Sequence, residues 1–228
     1  MMASIDVQPV PNISAVLFDL DGTLADTAPD MVRTVNAMRL ARALAPVPLE
    51  QVRPYVSQGA RGMIGAAFGV RPEDAGFAAM REEFLTTYAQ NLCVDTRLFP
   101  EMPELLDRLE AKGMAWGVVT NKFERFAKGV IDGLGLGTRS AVLVGGDTCG
   151  RAKPFPDPLL HAAEHLGLRP NTVLYVGDDE RDVQAARAAG MPVVAAGYGY
   201  LGDGPHPSRW GADGVVASPA EIATWAGI

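Results

Sequence analysis

Residues 15–27 read AVLFDLDGTLADT, and the abrupt change of character within that stretch decides the fold. AVLFDL (15–20) is a short apolar run, long enough for a strand buried on both faces and too short for a helix. Asp19, Asp21 and Gly22 then crowd charge and a turn at its end. The same pattern recurs at AWGVVT (115–120), AVLVGG (141–146), VLYVGD (173–178) and PVVAA (192–196), with GVVA (214–217) as a short sixth run. Between these runs lie helical stretches at 101–112, 158–166 and 180–189, stopped by Gly113, Gly167 and Gly190; glycine suits the left-handed residue that follows a helix. Leu105, Leu106 and Leu109 share one helical face. Alternation of this kind predicts an α/β fold, a Rossmann-like parallel sheet covered by helices.

The alternation fails once. From 26 to 95 there is helical periodicity and no strand signal: Met31, Val35 and Met38 form one stripe, and Phe77, Met80, Phe84 and Tyr88 another. This predicts a helical cap domain at 26–95, inserted into a core made of 14–25 and 96–228 behind an N-terminal tail at 1–13 that holds Pro9 and Pro11. Ligands of open parallel sheets bind beyond the carboxyl ends of the strands. An insertion leaving strand 1 at that edge would hang over the site as a lid.

What ends each strand points to chemistry. Asp19 and Asp21 follow the first, Thr120 and Asn121 the second, and Asp178, Asp179 and Asp182 the fourth, while Lys153 precedes a helix in RAKPFPDP. A parallel sheet brings these ends to one edge, so residues far apart in sequence converge. Several carboxylates within reach of one another need a cation, and oxygen ligands without His or Cys favour Mg²⁺. Gly22 permits a turn that aims the Asp19 side chain and the Asp21 carbonyl at the same ion and leaves the Asp21 carboxylate for proton transfer. A metal-held carboxylate can attack phosphorus, dividing one displacement into two. Thr120, Asn121 and Lys153 supply the hydroxyl, amide and ammonium that phosphoryl oxygens require.

FDLDGTLADT (18–27), VVTNK (118–122), KPFPDP (153–158) and GDDERD (177–182), in that order, resemble the four motifs of the haloacid dehalogenase-like phosphatases. The resemblance spans nearly the whole chain. It implies Asp19 as nucleophile and Asp21 as general acid and base. It implies Thr120 and Lys153 as phosphate binders, and Mg²⁺ held by Asp19, the Asp21 carbonyl and Asp178. Asp179 or Asp182 orients the metal's surroundings. Within the family the chain is similar to the phosphoglycolate phosphatase branch. The phrases GARGMI, GDDERDVQAARAAGM and AAGYGYLG also resemble the branch acting on N-acetylmuramic acid 6-phosphate, and a sugar phosphomutase is a further alternative. Both acidic substrates pair a carboxylate with the phosphate, which suits a cap arginine. Arg61 in SQGARG is the first candidate and Arg53 the second.

Composition narrows the rest. With 20 Lys and Arg against 27 Asp and Glu the net charge is −7, which excludes a general nucleic-acid or anionic-membrane footprint. The start, MMASIDVQPVPNIS, lacks the basic and apolar segments of a signal peptide, and no run reaches membrane-spanning length. The expectation is a cytoplasmic monomer or homodimer acting on a small phosphorylated metabolite. Cys93 and Cys149 read as reduced thiols. HAAEH (161–165) fits a zinc-protease pattern without its context, and GYGYLG (197–202) fits a dinucleotide fingerprint that no helix follows. Tyr198 and Tyr200 are expected to shape a loop near the site, and GLGLG (133–137) to be a helix-end turn.

Overall fold

The computed structural model describes residues 12–228; residues 1–11, and with them most of the predicted tail, lie outside the described residues. The chain opens with β1 (Ala15–Phe18), whose four residues are all fully buried. A short strand β2 (Ala25–Asp26) leads into α1 (Ala28–Leu40), α2 (Leu49–Val52), a 3-10 turn at Arg53–Gln58, α3 (Gly59–Phe68) and α4 (Phe77–Ala89). The return strand β3 (Arg97–Leu98) pairs antiparallel with β2, so the four helices enter and leave through one two-stranded stem. Alternating elements follow: α5 (Met102–Ala111), β4 (Ala115–Val119), α6 (Glu124–Gly133), β5 (Leu143–Val144), α7 (Asp157–His165), β6 (Val173–Gly177), α8 (Glu180–Ala189), β7 (Val193–Ala196), β8 (Gly214–Val216) and α9 (Pro219–Ala226).

All six predicted strands form, in one parallel sheet of order β5-β4-β1-β6-β7-β8. Their apolar runs are continuous rather than alternating because helices cover both faces, so every side chain of a central strand meets a dry surface. Leu105, Leu106 and Leu109 of α5 are buried as one stripe, and Gly113, Gly167 and Gly190 all take positive φ past their helices. The stripe of Met31, Val35 and Met38 faces the core, together with Phe84 and Tyr88, while Phe77 and Met80 are half-buried. Periodicity alone overlooks α6. Gly129 and Gly133 lower its helical propensity, and the structure shows why they are there: a Cβ at Gly129 would lie 2.5 Å from Leu92 Cδ1, and one at Gly133 2.6 Å from Cys93 Cβ.

The order of strands positions the site. The chain leaves β1 toward β4 on one side and later leaves β6 toward β7 on the other. Adjacent strands whose connections part in opposite directions open a crevice at their carboxyl ends. Asp19 follows β1 and Asp178 follows β6, so both carboxylates stand in that crevice.

Candidate active site

Gly22 makes the first turn possible. Its φ is +88°, and a Cβ there would lie 2.1 Å from Asp178 Oδ2 and 2.7 Å from the Tyr200 ring, so only glycine lets the loop after β1 close onto the strand next door. Thr23 Oγ1 then donates to Asp178 Oδ1 at 3.0 Å, and the Tyr200 backbone N–H donates to Asp178 Oδ2 at 2.8 Å. The GYGYLG segment thus works as a brace: Tyr198 donates to the Thr23 carbonyl and Tyr200 to Asp26. HAAEH lies on α7 with both histidines exposed. Among the described residues the one potential metal-ligand group is Asp19, Asp178 and Asp182.

Those three carboxylates are buried and each offers an oxygen within 4.8 Å of the others. Lys153, reaching in from the loop before α7, lies 3.0 Å from Asp19 Oδ1 and 2.7 Å from Asp182 Oδ1, and also donates to the Val119 carbonyl and Tyr175 hydroxyl. Burial alone would lower the Lys153 pKa; Asp182 and Asp19 outweigh it and raise it, so the ammonium stays charged. One lysine cannot neutralise three carboxylates. Burial, then Asp19 and Asp182, drives the Asp178 pKa well above its ordinary value. Burial likewise pushes Asp182 up to about 6, with Lys153 pulling against it and Asp19 adding to it. Asp19 Oδ1, despite its nearness to the lysine, has no aligned hydrogen bond. An orphaned carboxylate oxygen inside a cluster short of positive charge fits a hard divalent cation with oxygen ligands.

The remaining predicted residues fall around this cluster. Asp21 turns its carboxylate the other way, toward Thr27 Oγ1 at 2.5 Å and Lys122 Nζ at 2.8 and 3.0 Å. Its carbonyl instead shares a neighbour with Asp178, for Ser57 Oγ lies 3.3 Å from Asp21 O and 2.9 Å from Asp178 Oδ2. Thr120 is buried at the end of β4, its Oγ1 accepting from the Lys122 backbone N–H. Asn121 clamps the Lys153 backbone with both ends of its amide, 2.9 Å each; its side chain thereby sets where the lysine begins. Asp182 faces the carboxylate cluster, whereas Asp179 caps α8 and forks onto Arg181. Burial would raise Asp179, but its hydrogen bonds to Arg181 lower it.

Between core and cap lies a cavity of about 520 Å³, lined by Asp19, Asp21, Thr120, Asn121, Lys153 and Asp182 on the sheet side and by Arg61, Arg81, Phe77, Phe84 and Tyr88 on the helical side. Arg61 lines it with no ion-pair partner among the described residues. Arg53, the second candidate, is absent from the lining; it pairs with Asp26 at 3.0 Å and stacks 5.1 Å over Tyr200. Sequence reasoning assigned no role to Lys122, Ser57 or Arg181. Lys122 had a visible signal, its place in VVTNK. Ser57 and Arg181 meet across 124 residues, where Arg181 Nη2 donates to the Ser57 carbonyl, and no periodicity marks such a pair.

A parallel sheet with a carboxylate cluster at its switch point, a buried lysine and a helical cover defines an open α/β protein whose ligand crevice lies under a cap. The sequence model described as haloacid dehalogenase-like hydrolase matches residues 16–196. The chain belongs to that family. It is 46% identical over 210 residues to an N-acetylmuramic acid 6-phosphate phosphatase from Pseudomonas aeruginosa, covering 92% of this chain and 93% of that one. It is 49% identical over 215 residues to a phosphoglycolate phosphatase from Xanthomonas campestris pv. campestris, covering 92% and 96%. Among solved structures, that of a predicted phosphoglycolate phosphatase from Haemophilus somnus superposes with a TM-score of 0.80 at 28% identity, covering 92% of this chain and 96% of that one. No helix among the described residues is long and apolar enough to cross a membrane.

Proposed function

We propose that the chain hydrolyses phosphate monoesters of small acidic metabolites in two steps through Asp19. The observation that carries this is the orphaned Asp19 oxygen, set beside Lys153 at the floor of a capped cavity. In the first step Asp19 attacks phosphorus, the P–O bond to the leaving alcohol breaks, and Asp21 gives the alcohol oxygen its proton. In the second, water attacks the phosphorus of the aspartyl-phosphate, Asp21 takes the proton, and inorganic phosphate leaves with Asp19 restored. Thr120 and Lys153 hold the phosphoryl oxygens, and Thr27 and Lys122 keep the Asp21 carboxylate aimed. Asp19, the Asp21 carbonyl and Asp178 would hold Mg²⁺, with Asp182 behind them; when bound, the ion offsets the charge on the transferring phosphoryl group. The chain's relatives, one a phosphoglycolate phosphatase at 49% identity, make 2-phosphoglycolate the first substrate to test.

One observation favours a second substrate reading. The cap side of the cavity carries Phe77, Phe84, Leu85 and Tyr88, and the core side Phe123 and Phe126. A two-carbon acid has almost no carbon skeleton to cover that wall, whereas an acylated amino sugar such as N-acetylmuramic acid 6-phosphate does.

Phosphate release with Mg²⁺, measured across 2-phosphoglycolate, N-acetylmuramic acid 6-phosphate, sugar phosphates and nucleoside monophosphates, tests both readings. Asp19→Asn should lose turnover by roughly four orders of magnitude or more with an unchanged circular dichroism spectrum. Metal-dependent phosphate release persisting in that variant would overturn the assignment of Asp19. A phosphoenzyme surviving many minutes in water would point instead to a mutase.

A further inference from the structure

Tyr88 sits on the inner face of α4 with 2% of its surface exposed, yet its hydroxyl has no hydrogen-bond partner. It is also part of the cavity lining. The ring is held from two sides: Phe84 stacks on it at 6.0 Å and 14°, and Phe126 meets it edge-on at 5.8 Å and 78°. A third neighbour, the Lys122 ammonium, lies 4.7 Å from the ring centroid and acts on the hydroxyl as well; an ammonium can only donate, so the O–H proton is left without an acceptor. The side chain therefore has little room to swing its hydroxyl toward another protein group.

Phenylalanine would fill this place equally well and would leave no orphaned polar atom. Burying a hydroxyl without a partner costs stability, so its oxygen makes sense where a partner arrives from outside the chain. Burial, partly relieved by Lys122, pushes the Tyr88 pKa up to about 12, which keeps the O–H a neutral donor across the working pH range. Its location fixes which part of a substrate it would meet. Lys122 links it to Asp21, the group assigned to the leaving oxygen, and the cationic Arg61 and Arg81 line the same cavity.

We propose that Tyr88 is a specificity-determining residue whose hydroxyl donates to a hydroxyl or carboxylate oxygen of the leaving group, two or three carbons from the ester oxygen. The inference rests on the phosphomonoesterase reading above.

The test is Tyr88→Phe, which removes one oxygen and preserves the ring stacking. Steady-state kinetics would compare 2-phosphoglycolate and N-acetylmuramic acid 6-phosphate, which carry such an oxygen, with p-nitrophenyl phosphate, which lacks one near its ester. The expected result is a loss of about tenfold or more in kcat/KM on whichever acidic ester the parent protein uses. Turnover of p-nitrophenyl phosphate should stay within twofold, and the melting temperature should be equal or higher. Equal losses on both kinds of ester, no loss on either, or a fall in melting temperature would overturn the assignment while leaving the phosphatase reading standing. If the parent protein releases phosphate from p-nitrophenyl phosphate alone, the Tyr88 assignment falls and the phosphatase reading survives. If it releases none from any ester, both fall together.

Discussion

The two walls of the cavity are built on different physical terms. On the sheet side Asp19, Asp182 and Lys153, with Asp178 behind them, are all nearly inaccessible, and each is tied to at least one of the others or to backbone. On the helical side the polar groups are few and loosely held. Ser57 apart, which reaches Asp178, Arg61 is exposed and without an ion pair among the described residues, Arg81 pairs with its neighbour Glu82 and lies 5.8 Å over Phe123, and most of the rest of the wall is aromatic or aliphatic. A strand end is a rigid place for atoms that must not move during a displacement, and a helix face can be re-lined without disturbing the sheet. Under the proposed function, the reaction belongs to the core and the choice of substrate to the insertion.

The severest way to break this comparison is Lys153→Met. The change removes the one cation among the described residues that touches both Asp19 and Asp182. Stripping one partner from a buried charge group costs about 3–5 kcal/mol, or roughly 6–20 °C in melting temperature for a chain of this size, and phosphate release should vanish. A variant that melts within about 3 °C of the parent would show that the cluster's charge is balanced some other way.

Divalent metal should sharpen the same point with a somewhat smaller effect. Asp178 and Asp182 have pKa values raised above the ordinary carboxylate range, so the metal-free folded state binds protons more tightly than the unfolded chain does. Its stability from these groups therefore grows as pH falls through about 6 toward the unfolded value near 4. The proposed Mg²⁺ would compete for the same oxygens. At a hundredfold excess over its dissociation constant it should add about 2.7 kcal/mol near pH 8, and much less at pH 5. Melting curves with Mg²⁺ and with a chelator, taken across that range, would expose the prediction as wrong if the gain were flat with pH.

The core wall was largely legible because its logic is local. Each strand is a short apolar run, and the first polar residues after it must emerge at the sheet's edge, so Asp19, Thr120 and Asp178 announce themselves by position. The capping box joining Asp179 and Asp182 is written in adjacent residues too, but which of the two turns toward Lys153 depends on how α8 docks. The cap was legible only as helices. That Arg61 rather than Arg53 lines the cavity follows from Asp26 and Tyr200 capturing Arg53, and that Ser57 reaches Asp178 depends on contacts across 121 residues. Such contacts arise from how one layer settles on another, and helical periodicity carries no information about them.

Arg61→Ala tests the cap half of the comparison, where the smallest structural disturbance is expected. The side chain is exposed and makes no ion pair among the described residues, so its loss should change the melting temperature by no more than about 1–2 °C, as for surface substitutions generally. A guanidinium that meets a substrate carboxylate forms a charge-assisted hydrogen bond with a value of about 1.5–3 kcal/mol, somewhat reduced by water at an open cavity mouth. KM for an acidic ester should accordingly rise by roughly tenfold while kcat stays within about threefold, because the contact exists before and during the displacement alike. Arg61→Lys should recover only part of the loss, since an ammonium cannot fork onto a carboxylate. A fall in kcat with KM unchanged would mean that the cap takes part in the chemical step, and the division between the two walls would have to be abandoned.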